Sequence, residues 1–196
     1  MRRVRGAPGS RLSAVAVVAS ASVSLALVTT AGSSRAEGAE IAIGYSGLRA
    51  GGDLTHGGAL AFAAPRGEGR LRLVVELSGQ SGSAAGGERL RELGLLAGAS
   101  LAPWRSGRLS PFVSLKAGAV SAQRSVTVFG VSIAADGVCD GGCPYQTGPA
   151  AEVGGGLDLR VGTRWALRLA QADYRVTRLG GETDHALRLS AGIVRR

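Results

Sequence analysis

The chain has 196 residues, of which 32 are Gly, 45% hydrophobic, 19% charged and only 4% aromatic. Glycine without a three-residue period, beside only 6 prolines, excludes collagen, and the apolar share excludes a disordered chain. The net charge of +9 is unevenly spread: five of the 23 basic residues precede residue 37 and all 14 acids follow, leaving 18 basic against 14 acidic residues, a net +4 too mild to imply a nucleic-acid partner.

The first segment reads as a secretory signal peptide. A basic start, with Arg2, Arg3, Arg5 and Arg11, leads into the uncharged run Leu12 to Ala31 and then the small-residue stretch A-G-S-S-R-A. Cleavage after Ala36 is preferred to cleavage after Ala31. The competing reading is an uncleaved membrane helix, against which stands the Ala, Ser and Thr content of the run. Residues 1–36 are thus expected to be removed and residues 37–196 to form one exported domain.

Strands follow in chain order. Weak alternation marks 39–49, where Ile41, Ile43 and Tyr45 oppose Glu40, Gly44 and Ser46. A less distinct strand follows at 57–65. Residues 70–80 alternate strongly, with Leu71, Leu73, Val75 and Leu77 on one face and Arg70, Arg72, Glu76, Ser78 and Gln80 on the other. Segments 89–102 and 108–122 repeat the pattern, the former placing Glu92 and the latter Lys116 on the polar face. In 151–161 Glu152, Asp158 and Arg160 oppose Val153, Leu157 and Leu159. In 164–177 the parity conflicts with itself, since Arg168 is even while Gln171 and Asp173 are odd; a bulge near Ala170, or an error of register, is expected. The last strand sets His185, Leu187, Leu189 and Ile193 against Arg188 and Ser190.

Short turns P-R-G-E-G, P-W-R-S-G and V-G-T alternate with longer connections, the longest from about Gln123 to Gly148. Eight antiparallel strands with short turns at one end and longer loops at the other suggest an all-β, up-and-down transmembrane barrel. Its nearly balanced polar face, rich in Gly and Ser, suits a narrow lumen, and its Leu, Val and Ile face suits lipid. Arg72, Glu76, Asp158, Arg160 and Arg188 are the expected lumen charge network. A soluble barrel or sandwich is the alternative; aromatics are few, with Trp104, Trp165, Tyr45 and Tyr174 as candidate interfacial residues.

The run G-G-G-L-D-L-R-V-G-T-R-W-A-L-R-L-A-Q-A-D-Y-R-V-T from Gly154 and H-A-L-R-L-S-A-G-I-V from His185 resemble the end of the small bacterial outer-membrane barrels, the eight-stranded OmpA-like and opacity-like class. The resemblance covers residues 151–194. It implies an outer-membrane location, lipid and the outer-membrane assembly machinery as partners, and little about chemistry. Members usually finish on an aromatic residue, whereas this sequence finishes Ile193, Val194, Arg195, Arg196.

Candidate chemistry is sparse. Cys139 and Cys143, in C-D-G-G-C within the longest loop, are expected to form a disulfide, export favouring oxidation over free thiols or a metal site. His56 and His185 are expected in the first and last outward loops, near Asp53 and Asp184, with no nucleophile motif. Gly154, Gly155 and Gly156 lie in a strand, so no nucleotide loop is read there. No catalytic set, cofactor or metal is expected. The sequence reading is a monomeric outer-membrane protein of structural or adhesive type, with a rim enzyme acting on lipid or peptide, or a periplasmic ligand-binding barrel, as alternatives.

Overall fold

A computed structural model describes residues 38–50, 53–66, 70–83, 88–103, 107–128, 131–134, 137–138 and 145–196. The expected signal peptide, Trp104 and the Cys139–Cys143 pair lie outside the described residues. The strands are β1 (Glu40–Ala50), β2 (Asp53–Arg66), β3 (Leu71–Ser83), β4 (Glu88–Leu101), β5 (Leu109–Val128), β6 (Val131–Ala134), β7 (Gly137–Val138), β8 (Gln146–Arg160), β9 (Trp165–Leu179) and β10 (Glu182–Arg195).

Eight of these are the staves of a closed antiparallel barrel. Their order is β4-β3-β2-β1-β10-β9-β8-β5, and β5 pairs back onto β4. The first and last strands are neighbours, Ile43 facing Ile193. The short β6 and β7 extend β5 beyond the staves. Closure leaves no stave with an unpaired edge, which is what an all-β wall in lipid requires.

Period two decides the two faces. Along β3, Leu71, Leu73 and Leu77 are exposed while Arg72, Glu76, Ser78 and Gln80 are buried. Along β10, Leu187, Leu189 and Ile193 are exposed and Arg188 is buried. The outward wall is apolar and the inward face polar, the inverse of a water-soluble barrel.

The expected parity conflict in the seventh stave is a β-bulge. Gln171 faces Ser190 but Arg168 faces Gly192, so Leu169 and Ala170 together oppose Ala191. The same irregularity shifts the register against β8 between Leu157 and Asp158. Both Leu169 and Ala170 are exposed, and Ala166, Gln171, Asp173 and Arg175 are buried. The bulge therefore lets even and odd positions of one strand reach the same interior.

The loops differ from expectation. The stretch around Asp53, Leu54, Thr55 and His56 belongs to β2, separated from β1 only by residues 51 and 52. At the other hairpin β9 and β10 are joined by Gly180 and Gly181 alone, with φ of 59° and 92°. Two consecutive positive φ values make the type I′ turn that matches strand twist, and glycine adopts them without a Cβ penalty. Apart from the β5–β8 connection, the wall at this end is built by lengthened hairpins rather than long loops.

Candidate functional site

The inward side chains form one continuous network of charge. At its centre Arg188 of β10 reaches three carboxylates: it donates to Glu76 of β3, and its Nη2 lies 2.8 Å from Glu152 of β8 and 3.0 Å from Asp173 of β9. Lys116 of β5 approaches the same three, at 2.7, 3.7 and 3.9 Å from Glu76, Glu152 and Asp173. Arg175 donates to Glu92 of β4 and lies 3.7 Å from Glu152. Glu152 thus meets three cations, which is what allows a carboxylate only 1% exposed to remain beside two other acids.

A second tier closes the end nearer the short turns. Glu40 of β1 accepts from Arg72, and Arg196 places Nε 2.8 Å from Glu40 and Nη2 3.5 Å from Asp158. Arg168 holds Asp158 at 2.9 Å and stacks over the Phe112 ring at 4.4 Å. Gln171 joins the tiers, accepting from Arg168 at 3.0 Å and donating to Asp173 at 2.6 Å. Between the tiers lie cavities of about 30 Å³, one of them lined by Glu40, Arg72, Glu76, Lys116 and Arg168. Each has room for about one water.

Beyond the central tier, Gln80 donates to Ser46 at 2.6 Å, and Leu96, Val120 and Ala150 form a small apolar layer. Glycine makes space where the charges crowd. A Cβ at Gly154 would collide with the Asp173 carboxylate, and one at Gly156 would sit 2.8 Å from the Phe112 ring.

Of the residues expected in the lumen, Arg72, Glu76, Asp158 and Arg188 are buried and belong to this network. Arg160 departs from the expectation. It has inward parity but ends β8, where the barrel opens, and is exposed. Arg70, read on the polar face, likewise lies in a turn and is exposed. Glu40, Glu92, Lys116 and Glu152 stood on the sequence's polar face without being singled out. Asp173 and Arg175 become legible only once the bulge is placed, because their odd parity otherwise assigns them to the wall. Among the described residues, six acids (Glu40, Glu76, Glu92, Glu152, Asp158, Asp173) meet six bases (Arg72, Lys116, Arg168, Arg175, Arg188, Arg196) in the interior.

His56, expected in a loop, and His185, read both at the last loop and on the last strand, are on β2 and β10, exposed on the outward wall. His56 of β2 shares a hydrogen bond with the Tyr45 hydroxyl, 2.8 Å from Nδ1, with the rings stacked at 6.0 Å. His185 of β10 has the same arrangement with Tyr174 of β9, at 2.7 Å and 5.9 Å. Asp184, next to His185 in sequence, lies 3.7 Å from Arg124. Among the described residues no group of three or more His, Cys, Asp or Glu is placed to hold a metal ion.

No family model matches the chain, and no curated protein matches it in sequence. Solved structures do resemble it. Neisserial surface protein A matches with a TM-score of 0.52 at 16% identity, covering 80% of this chain and 94% of that one. The attachment invasion locus protein Ail of Yersinia pestis matches at 0.48 and 16%, covering 80% and 95%, and the N-terminal β-barrel domain of Pseudomonas aeruginosa OprF at 0.46 and 18%, covering 79% and 96%. The first likeness bears on fold: the chain is an all-β, closed, eight-stranded antiparallel barrel like that structure.

Proposed function

We propose that this chain is a monomeric outer-membrane protein whose barrel is filled by a neutralised lattice of side chains, and that it serves as a rigid surface scaffold, adhesive or envelope-stabilising, rather than as a catalyst or pore. The observation that carries the reading is the pairing of six interior acids with six interior bases behind a wall of exposed Leu, Ile and Val. Charges can be withdrawn from water only if each finds partners, and apolar side chains can face outward only if the surroundings are lipid. Outer-membrane lipid and the assembly machinery are the partners this implies. The scaffold reading leaves recognition to the ends of the hairpins and to the β5–β8 connection, where a Cys139–Cys143 disulfide would tie the segment.

Cell fractionation with detergent extraction tests the location. Recovery in the outer-membrane fraction, with a heat-modifiable shift on gels, is expected; recovery as a soluble periplasmic protein would overturn the reading. Loss of a hydrolytic or acyl-transfer activity on His185→Ala would instead favour a rim enzyme.

A further inference from the structure

The three short turns share a feature. Each ends in an arginine directly before the first outward hydrophobic residue of the next strand: Arg70 before Leu71, Arg108 before Leu109, Arg164 before Trp165. All three arginines are exposed. Each has its carbonyl fixed by a hydrogen bond from a neighbouring stave's end, from Ala102 N at 3.0 Å, Arg160 N at 2.7 Å and Arg196 N at 2.8 Å. Arg66 and Arg195 add two more at the ends of β2 and β10, on the outward parity, and Arg195 stacks over Trp165 at 5.9 Å. These staves are distributed around the wall.

The acids at this end, among the described residues, are Glu40 and Asp158, and both are buried and held by Arg72, Arg196 and Arg168. In sequence the short turns add one acid, Glu68, and one further arginine, Arg105, so that cations still outnumber acids at this end. The opposite rim is mixed: Arg49, Arg89, Arg91 and Arg178 share it with exposed Glu182 and with Asp184, which meets Arg124. Every exposed cation at the short-turn end is arginine, whose planar fork matches phosphate oxygens while its stem lies along apolar surface.

We propose that Arg66, Arg70, Arg108, Arg164 and Arg195 form a collar that binds the phosphates of anionic phospholipids in the leaflet bordering the short turns. The proposal rests on the membrane reading above. It places the charges where the apolar wall, bounded by Leu71, Leu109 and Trp165, meets the headgroups. It also gives the two rims different lipid preferences, and so fixes which end faces the anionic leaflet.

The protein purified from the envelope is reconstituted into nanodiscs of equimolar phosphatidylcholine and phosphatidylglycerol, and retained lipids are counted by native mass spectrometry. Phosphatidylglycerol should be retained preferentially. The preference should fall by up to about fivefold per arginine removed, as expected for a cation at a charged lipid surface, in Arg70→Gln/Arg108→Gln/Arg164→Gln. It should persist in Arg49→Gln/Arg91→Gln/Arg178→Gln. The exposed single substitutions Arg66→Gln and Arg195→Gln give the same test if the triple variant does not fold, and Arg195→Lys should restore only part of the effect, since it returns the charge without the fork. Equal retention of both lipids, equal loss in the two triple variants, or displacement by inorganic phosphate alone would overturn the collar. A protein that never enters the nanodisc would refute the membrane reading instead.

Discussion

Arg188 and Glu76 lie 112 residues apart in sequence, on strands separated by β1 and β2, and meet across the lumen in a charge-assisted hydrogen bond. The bond ties opposite parts of the wall through the interior, independently of the backbone ladder. Removing either partner unbalances the site: Arg188 would keep Glu152 and Asp173, and Glu76 would keep Lys116, but the buried acids and bases would no longer match.

Arg188→Gln and Glu76→Gln should each destabilise the folded barrel by up to about 3 to 5 kcal/mol, because a buried charge is left uncompensated in a network that keeps its other pairs. The double substitution should cost less than the sum, because the pair is lost together. Urea unfolding in detergent micelles, followed by the heat-modifiable gel shift, measures both. Strict additivity would show that the two residues do not interact.

The wall responds to opposite chemistry. Leu189→Arg, on the outward face midway along β10, should cost about 2 to 4 kcal/mol in lipid vesicles. In a variant lacking the native cysteines, single cysteines at positions 73 and 189 should contact lipid-soluble spin probes while those at 76 and 188 stay silent. A reversed pattern would invert the faces.

Deleting Ala170 removes the bulge and leaves β9 with one parity throughout. Either Gln171, Asp173 and Arg175 then turn outward, or Trp165 and Leu167 turn in. The deletion should abolish folding into lipid, whereas Ala170→Val should be tolerated because that side chain is exposed. A folded deletion variant with normal heat modifiability would refute this role for the bulge.

The Tyr45–His56 and Tyr174–His185 pairs should mark a headgroup interface, amphipathic rings being favoured there. An environment-sensitive dye at position 45 or 174 should report intermediate polarity, between labels at 115, within the wall, and at 182, in the hairpin beyond it. Identical emission at 45 and 115 would remove the pairs from the interface.

Cys139 and Cys143 should be joined in protein isolated from the envelope, and non-reducing peptide mapping would find the cross-linked loop. Two free thiols would contradict the pairing. Its reduction should change barrel stability little, since a short ring restricts few unfolded conformations.

The faces were legible in the sequence because period two persists wherever one side is dry and the other polar. The bulge was legible for the same reason, as a contradiction between Arg168 and Gln171. The extent of the strands was not. In the outer hairpins Asp53, Thr55, Thr183 and Asp184 read as turn formers, and an alternation signal fades where both faces of a strand can be wet. Parity also carries no information on height, which is why Arg160 shares the inward register of Asp158 yet stands at the opening. Asp173 and Arg175 needed both the bulge and the closed wall before their neighbours could be named.

The last strand has a consequence for how the barrel is completed. Arg188, on β10, and Arg196, directly after it, supply two of the six interior cations among the described residues, and the acids they meet, Glu40, Glu76, Glu152, Asp158 and Asp173, all lie on earlier strands. A sheet lacking these residues holds six carboxylates against four bases, with like charges crowded around Glu152. It would resist enclosure until the final hairpin docks. Sealing the wall and neutralising the interior are thereby one event: the strand that closes onto β1 also carries cations that the enclosed acids need.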